Sequence, residues 1–247
     1  MSSSVYFKYD GTFEGLMTAI FEKYGELEHI HIVCEKEQMN FLLTGNFIKT
    51  DEEKAERVLR GLKKSFGVDF IRRVMYVFST PFETKEDVIA KTVKGMFLYG
   101  KGFLFSDKET PTEFRRLSKR VGSENHSYKG LLRFRELEGG ILFAEFKPEN
   151  DILMFLAPHF IKCLPKEKFV IADTARKKCV FYSDGQAEFM EIESLSLKDS
   201  DAEEFFKEAW KKFYKTVAID ERRNEKLMIS NMPKRYWEFL PEREDRC

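Results

Sequence analysis

Val5–Tyr9 predicts a first strand, and Asp10-Gly11-Thr12 turns the chain into a helix over Phe13–Tyr24. In that helix Leu16, Ile20 and Tyr24 recur every four residues, with Phe13, Met17 and Phe21 beside them, which makes a wide apolar stripe. Glu28–Cys34 alternates with period two and predicts a second strand. Thr50-Asp51-Glu52-Glu53 has the form of a capping box with Thr50 as the cap, opening a helix that buries Val58, Leu59, Leu62 and Phe66. Ile71, Val74, Met75 and Phe78 predict a helix over Asp69–Ser79. Another starts at Thr84, faces Val88, Ile89, Thr92, Val93, Met96 and Phe97 inward, and stops at Gly100 and Gly102.

After Thr110-Pro111 a basic helix is expected to run to about Val121. The style then changes. Leu131–Leu137 and Ile141–Phe146 read as strands joined by Glu138-Gly139-Gly140, a hairpin signal. A helix carrying Ile152, Leu153, Phe155 and Leu156 follows; Pro158 is expected to break it and Pro165 to stop it. Lys168–Ala172, Cys179–Tyr182 and Ala187–Ile192 predict three short strands. Ser200-Asp201-Ala202-Glu203 is a second capping box, opening a helix to about Ala218, and Met232–Pro241 predicts a short aromatic helix. The fold class is α+β: a helix-rich N-terminal half with a few short strands, then a hairpin and small mixed sheet flanked by helices. The expected parts are 1–110 and 111–247, or one compact unit.

Hydrophobic residues are 43% of the 247 and charged residues 34%, which fits a folded chain and excludes a disordered one. Aromatics reach 15%, with 25 Phe, and read as core filler. No apolar run approaches the ~18–20 residues that cross a bilayer, and Met1–Asp10 lacks a signal-peptide pattern, so no membrane partner and a cytoplasmic location are expected. Cys34, Cys163, Cys179 and Cys247 are too scattered for a zinc ribbon or an iron–sulfur cluster. His29 and His31 share a strand face that excludes Cys34, so no metal site and no cofactor are assigned.

The 42 basic and 42 acidic side chains cancel, but unevenly. Residues 112–135 hold seven basic and two acidic side chains; residues 207–236 hold nine and four. Such asymmetry points to an anionic partner or to ordinary solvated surface. In the first segment Arg115, Lys119, Arg116 and Arg120 crowd one side of a helix, and Lys129, Arg133 and Arg135 would share a strand face. In the second, lysines interleave with Trp210, Phe213 and Tyr214, and Arg222, Arg223, Lys234 and Arg235 follow. That pattern suits phosphate contact with base stacking, or equally a core stripe of Phe206, Trp210, Phe213 and Val217 under surface lysines. Where a strand enters a helix, either Asp10 or Thr12 caps the helix and Glu14 is favoured by its dipole, or Asp10 and Glu14 form a carboxylate pair for proton transfer or metal binding. His126, placed in a loop between the basic segments, could bind an anion or move a proton.

Tyr9–Leu16, the stretches from His126 to Leu137 and from Leu156 to Phe160, Glu221–Asn224 and Met232–Trp237 together resemble a bacterial family assigned to DNA metabolism. That family is built around a domain of unknown function and is typically encoded beside a radical SAM protein of DNA modification or repair. A related domain occurs fused to uracil-DNA-glycosylase-like domains. Where the family often has Arg after the motif His, this chain has Ser127. The resemblance implies a DNA-linked role; taken with the two basic segments, it leads to the expectation of a nucleic-acid-binding accessory protein that acts with a radical SAM partner. The other expectation is a DNA- or nucleotide-processing hydrolase using Asp10, Glu14 and His126.

Overall fold

The computed structural model describes residues 5–35, 45–192, 199–200, 202–217 and 225–241. The chain divides into two compact units, Met1–Gly122 and Ser123–Cys247. The architecture is α+β, as the hydrophobic pattern predicts.

In the first unit β1 (Val5–Tyr9) is the central strand of a parallel sheet, between β2 (Ile30–Cys34) and β3 (Gly45–Phe47). Period two buries Phe7 and Tyr9 on one face. α1 (Phe13–Glu22) crosses from β1 to β2 and buries Leu16, Met17 and Ile20. α2 (Glu52–Phe66) and α3 (Val68–Phe78) meet at Gly67, whose φ of 88° only glycine adopts cheaply. α4 (Lys85–Tyr99) adds Ile89, Val93 and Met96 to the same core. A 3₁₀ turn over Lys101–Phe105 follows.

α5 runs over Glu109–Leu131, ten residues beyond the expected end at Val121. Its inward stripe continues as Val121, Glu124, Asn125 and Tyr128, and two of these are polar residues that mask the helical period. The buried Glu124 carboxylate accepts from the amides of Glu149 (2.8 Å) and Asn150 (3.1 Å) and from Asn150 Nδ2 (2.6 Å). Those bonds offset the cost of desolvating a charge.

The second unit holds a mixed sheet in the order β4 (Arg135–Leu137), β5 (Ile141–Phe146), β6 (Phe169–Asp173), β7 (Lys178–Ser183), β8 (Gln186–Glu191). The β4–β5 hairpin turns on Gly139 and Gly140, both at positive φ. β5 and β6 are parallel, joined through α6 (Leu153–Cys163), which carries Pro158 without breaking. Phe134, Phe160, Phe169 and Tyr182 form a chain of ring contacts at 5.0–5.8 Å. α7 (Glu203–Val217), α8 (Glu225–Asn231) and a 3₁₀ turn over Lys234–Phe239 complete the unit. The expected box at Ser200 does not form: among the described residues Ser200 Oγ has no hydrogen-bond partner, and the Glu203 carboxylate accepts from Glu136 N at 2.7 Å.

Glu124→Ala would strand three donors, two of them buried, and should cost about 3 kcal/mol of stability, read as a lower urea midpoint. Glu124→Gln keeps an acceptor and should recover a large part of the loss.

Candidate functional site

In the first unit the carboxyl ends of β1 and β3 meet at Asp10. Its Oδ1 accepts from Thr12 N (2.9 Å) and Thr12 Oγ1 (2.7 Å), and its Oδ2 accepts from Thr50 Oγ1 (2.7 Å). Thr12, not Asp10, caps α1, accepting from Gly15 N at 2.9 Å. A β-carbon at Gly15 would run into the Asp10 carboxylate and the Thr50 hydroxyl, so the close approach needs glycine. Thr50 is engaged by Asp10 and does not cap α2; Asp51 does, accepting from Lys54 N at 3.1 Å. That bond, with the Lys54 ammonium, holds the Asp51 carboxyl below its ordinary range. The corner lies where strand order reverses across β1, a usual position for a ligand in a parallel sheet. Yet Asp10 serves as an acceptor that ties two loops together. Glu14 is exposed in the first turn of α1, where the helix dipole favours it.

The same unit holds a pair that the sequence reading missed. His31 Nδ1 lies 2.5 Å from Asp87 Oδ2, and Asp87 Oδ1 accepts from Ile32 N at 3.0 Å. Asp87 is buried in the first turn of α4, beside Glu86, which accepts from Tyr9 Oη at 2.9 Å. The His31 side chain is 40% exposed and its ring stacks on Tyr6 at 5.2 Å. A carboxylate on Nδ1 fixes the ring and leaves Nε2 for proton exchange. The two residues stand 56 positions apart, and nothing local announces the contact. Among the described residues no group of three or more His, Cys, Asp or Glu could hold a metal ion.

Many of the predicted phosphate-binding cations already have partners. Arg115 donates to the carbonyls of Leu104 and Ser106 and to Thr112 Oγ1. Arg116 makes a two-pronged contact with Glu113 at 2.8 and 2.5 Å, and that hydrogen bond pulls the Glu113 carboxyl down. Lys119 and Arg120 are exposed on α5. His126 is exposed on the same helix, not in a loop. Arg133 precedes β4 instead of lying on it, so it does not share a strand face with Arg135. It donates to Gly130 O at 2.9 Å, and its guanidinium sits 5.4 Å from the Trp210 ring. Arg135 pairs with Glu145 (2.9 Å) and Asp199 (3.0 Å). Arg235 pairs with Glu149 at 2.6 Å, while Lys234 is exposed and Lys129 half-buried. Arg222 and Arg223 lie outside the described residues.

α7 departs from the core reading. Phe206, Trp210 and Phe213 are 55%, 38% and 57% exposed, and Phe205 is 71% exposed. The lysines take the covered positions instead: Lys207 pairs with Asp199 at 2.9 Å and Lys211 with Glu208 at 3.5 Å. Lys212 is exposed between the rings.

Asp10→Ala removes the acceptor of three hydrogen bonds and should cost about 2 kcal/mol, seen as a fall in melting temperature. Gly15→Ala, a far smaller chemical change, should cost at least as much because Asp10 must move.

No curated protein and no solved structure matches the chain. A family model described as "Domain of unknown function (DUF4130)" matches residues 83–242, more than half the chain. The match takes in α5, the mixed sheet and the aromatic face of α7, and on its extent this chain belongs to the DUF4130 family.

Proposed function

We propose that this chain is a nucleic-acid-binding accessory protein of DNA metabolism, acting in DNA repair or modification beside a radical SAM partner. The observation that carries the reading is the exposed ring set of α7: Phe206, Trp210 and Phe213 at helical spacing, with Lys212 between them and the Arg133 guanidinium over Trp210. Exposed aromatics are costly to leave in water and are what single-stranded nucleic acid stacks upon. Arg135 and Arg235 are engaged by carboxylates, so within the second unit phosphate contact beside these rings falls to Lys129, Lys212 and Lys234. With so few cations, stacking supplies more of the affinity than charge does. The radical chemistry belongs to the partner, because the four cysteines are too dispersed to hold its cluster.

The second reading, a DNA- or nucleotide-processing hydrolase, finds better support in the His31–Asp87 pair than in Asp10 and Glu14. The pair presents an oriented imidazole, whereas Asp10 is occupied by Thr12 and Thr50.

Titration with oligothymidylate at low salt should quench tryptophan fluorescence. Trp210→Ala and Phe213→Ala should each weaken binding roughly tenfold. The salt dependence should be shallow, with log K falling by about two units per tenfold rise in salt for three phosphate contacts on a single strand. An absence of binding to single- and double-stranded DNA would overturn the reading, as would a Trp210→Ala variant that binds like the parent.

A further inference from the structure

A cavity of about 320 Å³ opens between α1, α2 and α4 of the first unit. Ile20, Val58, Val93 and Phe97 form apolar walls, and Phe21, Tyr24 and Arg57 complete the lining. Phe97 can lie along α2 because residue 61 is glycine; a β-carbon there would stand 3.3 Å from its ring. At the ~30 Å³ a water molecule takes in the liquid, the volume holds roughly ten methylene-sized groups.

Two polar groups interrupt this apolar surface. The Arg57 guanidinium lies 5.4 Å from the Phe21 ring, and among the described residues no hydrogen bond or ion pair engages it. The Tyr24 hydroxyl likewise has no hydrogen-bond partner there, and burial pushes its pKa up, so it stays a neutral donor. Elsewhere in the unit Arg60, Arg72 and Arg116 each have a carboxylate, and Arg115 donates to the carbonyls of Leu104 and Ser106. A cation without a counter-ion, a spare hydroxyl and an apolar chamber together describe the complement of one ligand type.

We propose that this cavity binds a small amphiphilic carboxylate, its apolar body against Ile20, Val93 and Phe97 and its head on Arg57 and Tyr24. The planar guanidinium fork matches a carboxylate, and one cation with one neutral donor suits a single negative charge. Apolar walls with few convergent polar groups are the usual make-up of a small-molecule site. The proposal does not depend on the DNA-binding reading.

The test is calorimetric titration of the full chain with decanoate, below its micelle-forming concentration, and with decanol. The parent should bind one decanoate per chain. Arg57→Met, an exposed position, should keep the melting temperature but weaken decanoate roughly tenfold while leaving decanol unchanged. Tyr24→Phe should weaken decanoate a few-fold. No saturable decanoate binding by the parent overturns the proposal. So does an Arg57→Met variant that binds decanoate as the parent does, or binding of many decanoates per chain that neither substitution alters.

Discussion

Glu124 is a carboxylate with 2% exposure, and the second unit is organised around it. It stands on α5 and receives both backbone amides and the side-chain amide at Glu149–Asn150. That fixes where the chain leaving β5 turns towards α6. One turn further along α5, the Tyr128 ring meets those of Phe146 and Tyr236 at 4.9 and 4.8 Å, and its hydroxyl donates to Lys147 O. The end of β5, the loop after it and the C-terminal 3₁₀ turn are thus gathered on one stretch of one helix. A buried charge tolerates this only when its bonding capacity is used, which makes the geometry specific as well as stable.

Elements with clean periods were legible in the sequence. The stripe of Leu16, Met17 and Ile20, the alternation in β2 and the glycine turn between β4 and β5 all form as their patterns predict. The failures have a common physical cause, since each is a polar side chain used at long range. Thr50 reads as a cap, but its hydroxyl is committed to Asp10, forty residues away, so Asp51 caps instead. Glu203 reads as half of a capping box, but its carboxylate serves the edge of β4. Glu124 and Asn125 interrupt an apolar stripe that in fact continues through them. Asp87 reads as an ordinary first-turn acid and turns out to hold His31. In α7 the period revealed a helix with an aromatic face, but a period does not say whether that face is covered.

The charge pattern teaches a related lesson. A count along the sequence sees a surplus of cations in 112–135, while the structure spends much of it locally. Arg115 closes a loop onto α5, Arg116 answers Glu113, and Arg135 bridges Glu145 and Asp199. Such pairs contribute little to stability when exposed, yet they remove a guanidinium from the field that an approaching polyanion feels. Recognition then rests more on shape and stacking than on net charge. Arginine over an exposed indole, as at Arg133 and Trp210, joins the two modes at one point.

β8 ends its sheet with every residue exposed, held by a single ladder to β7. Its sequence, Gln186-Ala-Glu-Phe-Met-Glu191, has no proline and carries Phe189 and Met190 into water. A ribbon like this invites a second copy to dock against its open margin. Glu188 and Glu191 are what discourage it, since two such ribbons laid side by side would bring like charges together. Among the described residues this margin is guarded by charge and not by cover, a restraint that acid or high salt would weaken.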